Sequence, residues 1–77
     1  MADELSNALR DERARLGVTQ GELAERVGVS RKTINTVENG VFVPSTVLAL
    51  KLARAVGRPV EQLFWLKNAV PQRDGGN

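Results

Sequence analysis

Apolar positions recur along this chain at three- and four-residue spacing and are interrupted at Gly17, Gly28, Gly40 and Gly57. From about Ala2 to Leu16, the residues Leu5, Ala8, Leu9 and Leu16 share one side of a first helix, which Gly17 closes. A second helix starts after Thr19, whose side chain caps it while Glu22 reaches back to complete a capping box. Leu23 and Val27 repeat at i and i+4 on its inner face. Ala24 beside them has so little bulk that another helix can cross closely over it. Gly28 suits a left-handed helix end, and Val29 is the apolar plug of the turn. Ser30 then caps a third helix whose buried side is Ile34 and Val37 and whose end is Asn39-Gly40. Val41, Phe42 and Val43 read as a short apolar connector lying over the core. Ser45 caps a fourth helix that turns Val47, Leu48, Leu52, Ala55 and Val56 inward and stops at Gly57. Pro59 opens a fifth, in which Val60, Leu63 and Phe64 face the core, Trp65 lies nearly opposite and Leu66 sits at the flank. Read this way the chain is all-α, with five helices.

The second and third helices form a helix-turn-helix, and the outer face of the third has distinctive chemistry. At about 100° per residue, burying Ile34 and Val37 puts Lys32, Asn35 and Thr36 on the far side, with Arg31 at the flank. On an arbitrary amphipathic helix such a face is merely solvated. A tight glycine turn that stands this helix proud of its neighbour gives the face another use, entry into the ~12 Å major groove of DNA. There Arg31 and Lys32 donate to guanine O6 and N7, Asn35 bridges an adenine, and Thr36 packs its methyl on thymine. Gln20, Ser30 and Asn39 are expected to hold phosphates, assisted by backbone N–H groups at the start of the second helix.

Gln20, Leu23, Ala24, Val27, Gly28, Val29, Ser30, Ile34, Val37 and Glu38-Asn39-Gly40 also occupy the places of a known signature. Over roughly residues 7 to 66 the chain resembles the lambda-repressor-like, Xre-type transcriptional regulators, which include many phage repressors and Cro proteins. The resemblance implies a compact five-helix DNA-binding domain with its helix-turn-helix in helices two and three. It also implies that Arg13 pairs with Glu38 and so ties the first helix to the recognition helix. Two positions depart from the family: Glu12 stands where an apolar residue is usual, and Val41 stands where relatives often carry a cation against the DNA backbone.

Composition narrows the possibilities further. A chain of 77 residues holds one domain, and 42% apolar with 26% charged residues is a globular balance rather than a disordered one. With no Cys and no His there are no disulfides, no thiolate chemistry and none of the usual zinc sets, and the commonest general base is missing. An enzyme is not expected, nor a cofactor or metal. The net charge of +2 and pI near 9.7 suit a polyanionic partner but are too mild to identify one. No apolar run approaches ~20 residues and no signal-peptide core follows Met1, so a cytoplasmic protein is expected. The DNA-binding domain is read as residues 1–70, followed by a polar, Gly-rich, disordered tail at 71–77. One helix face cannot bury everything from Leu63 to Leu66, so Trp65 and Leu66 are expected to anchor a second copy. The resulting expectation is a homodimeric repressor on a palindromic operator. The alternative is an antitoxin-like or adaptor module whose apolar C-terminal surface binds a toxin or other protein, with DNA binding secondary.

Overall fold

A computed structural model describes residues 4–67. The elements run β1 (Leu5–Asn7), α1 (Leu9–Leu16), α2 (Gln20–Val27), α3 (Arg31–Glu38), α4 (Thr46–Val56), α5 (Val60–Leu63) and β2 (Phe64–Leu66). The fold is therefore mostly helical with five helices, but it is not all-α among the described residues. β1 and β2 form a two-stranded antiparallel sheet in which Leu5 faces Leu66, Ser6 faces Trp65 and Asn7 faces Phe64.

This sheet replaces both outer parts of the expected helices, for local reasons at each end. The Asn7 side chain accepts the backbone N–H of Leu9 at 3.0 Å, an alternative to continuing a helix backwards, so α1 begins at Leu9 rather than near Ala2. At the other end α5 stops after four residues because Phe64 is extended (φ −130°, ψ 138°), and the Phe-Trp-Leu run suits a strand better than a helix. Strand alternation then buries Phe64 and exposes Trp65 (45%), while Leu66 lies beyond the rim of the core (47% exposed). The exposure expected of Trp65 and Leu66 is present, although a strand and not a helix face produces it. Residues 68–77, including the tail at 71–77, lie outside the described residues.

The core is built from Leu9, Leu23, Ile34, Val37, Leu52 and Leu63, all fully buried, with Val27, Leu48, Ala53, Val56 and Phe64 around them. α2 packs on both α3 and α4, and Ala24 is covered at the crossing. Val29 plugs the turn from a half-buried position. Three apolar placements differ from expectation. Leu16, at the far end of α1, is exposed. Val41, Phe42 and Val43 do not lie over the core but are 78%, 46% and 67% exposed. The cause is the backbone after α3: Gly40 takes a left-handed φ of 74°, and the N–H groups of Val41 and Phe42 both bond the Thr36 carbonyl, which turns the chain outward. Val47 is likewise exposed, because the buried stripe of α4 is Leu48, Leu52 and Val56 at i, i+4 and i+8 with Ala53 beside it. No helix among the described residues is long and apolar enough to cross a membrane.

Candidate nucleic-acid interface

The unit that carries the polar face is held rigidly at each punctuation point. Thr19 Oγ1 accepts the Glu22 N–H at 3.1 Å, and Glu22 Oε1 accepts the Thr19 N–H at 2.8 Å, a complete capping box. Gly28 closes α2 at φ 76°, and the following N–H of Val29 bonds the Ala24 carbonyl at 3.0 Å, so the chain reverses without an orphaned donor. Ser30 Oγ accepts the Thr33 N–H at 3.1 Å and lies 3.0 Å from Thr33 Oγ1. Its hydroxyl is thus occupied in capping α3.

On α3 the side chains of Arg31, Lys32 and Asn35 are exposed, and Thr36 is half-buried. Thr36 Oγ1 donates within its own helix, 2.9 Å from the Thr33 carbonyl and 3.0 Å from that of Lys32, so the methyl is what Thr36 has to offer a partner. Arg31 reaches towards the start of α2: its Cδ lies 4.0 Å from the point a Cβ would occupy at Gly21. A guanidinium and the N-terminal amides of α2 therefore sit on one side of the unit, an arrangement that favours anions. Gln20 and Asn39 are both engaged within the protein. Gln20 Nε2 donates to Glu38 Oε1 at 2.9 Å, and Asn39 Oδ1 accepts from Arg10 Nη2 at 2.6 Å while its Nδ2 donates to Asn35 Oδ1 at 3.3 Å.

Beneath this face lies an ionic hub. The Glu38 side chain is fully covered, and Arg13, 19% exposed, donates to it from Nε at 2.7 Å and Nη2 at 3.3 Å, with Nη1 on the Val18 carbonyl at 3.0 Å. Arg10 Nε adds a third approach at 3.5 Å. Burial pushes the Glu38 carboxyl up. The hydrogen bonds from Arg13 and Gln20, the Arg13 charge and the bond from Arg10 together outweigh it and hold the group below the usual carboxylate value. Arg13 is correspondingly raised by its bond to Glu38. The hub joins α1, α2 and the end of α3, so the angle of α3 is set by three elements.

Two contributors escape sequence reasoning. Arg10 precedes Arg13 by three residues, which places both on one face of α1, and that spacing was the available signal. Asn7 holds the Val37 carbonyl through Nδ2 at 3.0 Å, a contact that only the unforeseen sheet makes possible. Glu12, unusual for an apolar position, is partnered by Arg15 at 2.7 Å and Arg58 at 3.1 Å. Lys51 and Arg54 border a shallow groove with Arg26 and Glu25.

The Helix-turn-helix family profile matches residues 9–63. An uncharacterized HTH-type transcriptional regulator of Bacillus subtilis (strain 168), YgzD, is 43% identical over 63 residues, 82% of this chain and 96% of that protein. Another uncharacterized HTH-type transcriptional regulator, from Methanothermobacter thermautotrophicus, is 52% identical over 59 residues, 75% of this chain and 86% of that protein. Among solved structures, the clp gene regulator ClgR from Corynebacterium glutamicum superposes with a TM-score of 0.67 at 40% identity. That match covers 69% of this chain and 56% of ClgR, so the chain spans little more than half of that protein. With the profile match running from α1 through α5, and a donor-bearing helix standing on the hub that joins its neighbours, the chain belongs to the lambda-repressor-like, Xre-type helix-turn-helix family of DNA-binding transcriptional regulators.

Proposed function

We propose that α2 and α3 are the helix-turn-helix, that α3 enters the major groove of duplex DNA, and that the protein represses transcription by occupying a palindromic operator as a homodimer. The observation that carries this reading is the contrast across α3: Ile34 and Val37 are buried while Arg31, Lys32 and Asn35 are exposed on the other side, a donor-rich ridge fixed from beneath. Arg31 and Lys32 then meet guanine acceptors, Asn35 a neighbouring base edge, and Thr36 a thymine methyl. Ser30, Gln20 and Asn39 flank the ridge; Gln20 Nε2 and Asn39 Nδ2 each use one N–H within the protein and reach phosphates with the other. The half-exposed Trp65 and Leu66 supply the contact between copies.

Binding-site selection from random duplexes tests DNA reading, dimer symmetry and specificity together. The expected outcome is an imperfect palindrome with half-site centres ~10 bp apart or a multiple of that. A pool that yields no consensus after repeated rounds removes the reading. A second reading, an antitoxin-like or adaptor module, draws on the exposed apolar side chains of Val41, Phe42, Val43, Val47 and Leu50. A defined complex with a toxin or other protein, together with failed site selection, favours it.

A further inference from the structure

We infer that the Asn39-Gly40 peptide is a site of spontaneous deamidation that the fold holds shut, and that its modification marks chains in which the end of α3 has opened and withdraws them from DNA. The first half stands on local geometry; the second rests on the reading of Asn39 as a phosphate contact. Asn39-Gly40 is the one Asn-Gly pair in the sequence, and both residues are exposed to water. The reaction is intramolecular. The Gly40 backbone nitrogen gives up its proton and attacks the side-chain carbonyl carbon of Asn39; the bond from that carbon to the amide nitrogen breaks, ammonia leaves, and a five-membered succinimide remains. Water then opens either carbonyl of the ring, giving aspartate or isoaspartate. One water is consumed and one ammonia released, and no other reactant is needed. Glycine favours the attack because no Cβ crowds the attacking nitrogen.

In the folded chain ring closure is blocked. The succinimide needs the Asn39 Cβ to come close to eclipsing the Gly40 nitrogen about the Cα–C bond, but at ψ 4° it is the Asn39 backbone nitrogen that eclipses it. Turning that bond would carry Gly40 away from α3, and the turn is held. The Gly40 N–H donates to the Val37 carbonyl at 3.1 Å, and the N–H groups of Val41 and Phe42 donate to the Thr36 carbonyl at 2.9 and 3.2 Å. The first of these bonds also retains the proton that Gly40 must lose. The Asn39 amide is itself drawn back along α3 and towards α1, with Oδ1 2.6 Å from Arg10 Nη2 and Nδ2 3.3 Å from Asn35 Oδ1. All of these bonds lie at an exposed helix end, where local opening is easiest. Deamidation is slow beside such opening, so its rate follows the fraction of chains open around residues 39–42. The products do not revert. Both lose Nδ2, whose second N–H reaches a phosphate, and both gain a carboxylate that repels it. Isoaspartate also lengthens the backbone by one methylene between residues 39 and 40, which shifts Gly40, Val41 and Phe42 off their acceptors.

Mass spectrometry of the peptide that spans Asn39, taken from the full chain after incubation, tests the lock by the mass difference between an amide and an acid. The folded parent in mildly alkaline buffer is expected to convert Asn39 at least roughly 10-fold more slowly than the same chain in denaturing guanidinium chloride. Arg13→Ala removes the donors that hold Glu38, the neighbour of Asn39, and is expected to convert several-fold faster than the parent at a temperature where circular dichroism shows it folded. Equal rates in the folded and denatured parent, no conversion in the denatured chain, or an Arg13→Ala rate equal to the parent's overturns the lock. Asn39→Asp, one of the two products made directly, tests the consequence. Its affinity is expected to fall at least roughly 10-fold for the duplex the parent selects, and by a similar factor for other duplexes, because a phosphate contact carries no base information. Parental affinity in Asn39→Asp overturns the withdrawal from DNA. A parent that selects no duplex overturns the DNA reading, and the mass comparison decides the lock in either case.

Discussion

Replacing Arg13 by alanine tests the hub beneath α3 most directly. The change leaves a fully covered Glu38 carboxylate without both Arg13 donors, the shortest of its bonds among them, and frees the Val18 carbonyl from Nη1. Breaking one side of a buried ion pair costs about 3–5 kcal/mol. Gln20 at 2.9 Å and Arg10 at 3.5 Å still attend the carboxylate, so the lower end applies, about 3 kcal/mol. A second route leads to a similar ceiling. At pH 7 the variant can protonate Glu38 instead, ~2.5 units above its ordinary value, which costs about 3.4 kcal/mol. A domain of this size has a total stability of only about 4–11 kcal/mol, and each kcal/mol moves the melting temperature by about 4–8 °C. The expected loss is therefore about 12–24 °C in a thermal melt followed by far-UV circular dichroism. Two controls sharpen the result. Arg13→Met with Glu38→Leu leaves no unpaired charge and recovers most of the loss. Acidification narrows the gap between parent and single variant: the parent has a lowered Glu38 value and loses that contribution as pH falls through it, whereas the variant is relieved by protonation. A single variant melting within about 4 °C of the parent, or a double variant as unstable as the single one, refutes the argument that charge burial holds α3 in place.

Ala24→Leu adds bulk at the covered crossing of α2 with its neighbours and should destabilise by roughly 1–3 kcal/mol, read as a lower urea midpoint; no change means the helices do not cross there. Lys32→Ala or Arg31→Ala should relax selection at one or two operator positions, about 1–3 kcal/mol for each lost bidentate contact, whereas retention of the parental consensus removes these side chains from the base edges. Trp65→Ala with Leu66→Ser should sediment as a helical monomer with most palindrome affinity lost, and a parent already monomeric at micromolar concentration overturns the dimer. Acid unfolding should set in below about pH 4.5, because Glu38, Glu12 and Glu22 all have lowered values; their contributions are complete above that pH and vanish as it falls through the folded-state values, which an acid titration followed by circular dichroism will show.

The middle of the chain was legible because its signals are local and agree. Thr19 with Glu22, Gly28, Ser30 and the spacing of Leu23, Val27, Ile34 and Val37 are all read within a few residues, and each has its expected place. The ends were misread for the opposite reason. Leu5 and Leu66 pair from opposite ends of the chain, and nothing in a helical apolar spacing at either end announces a partner that distant. Val41, Phe42 and Val43 show a related blind spot: their composition states that they are apolar, but the direction in which they leave α3 is set by Gly40 and the Thr36 carbonyl. At the candidate site, the outward set of Arg31, Lys32 and Asn35 follows from period alone. The internal partners of Gln20 and Asn39 do not, because they depend on where α1 is docked.

The pairing of β1 with β2 also brings residue 4 beside residue 67, where the Lys67 N–H bonds the Glu4 carbonyl at 2.7 Å and the Lys67 ammonium lies 3.5 Å from the Glu4 carboxylate. A chain whose distant ends are stapled in this way can be cut and rejoined elsewhere. Linking Lys67 to Glu4 through a short glycine-serine hairpin, and opening the exposed segment between Val41 and Val43, makes a circular permutant that retains all five helices and the sheet. Its new termini leave from the loop beside the end of α3, so a fluorophore or crosslinker attached there reports from the edge of the proposed recognition surface.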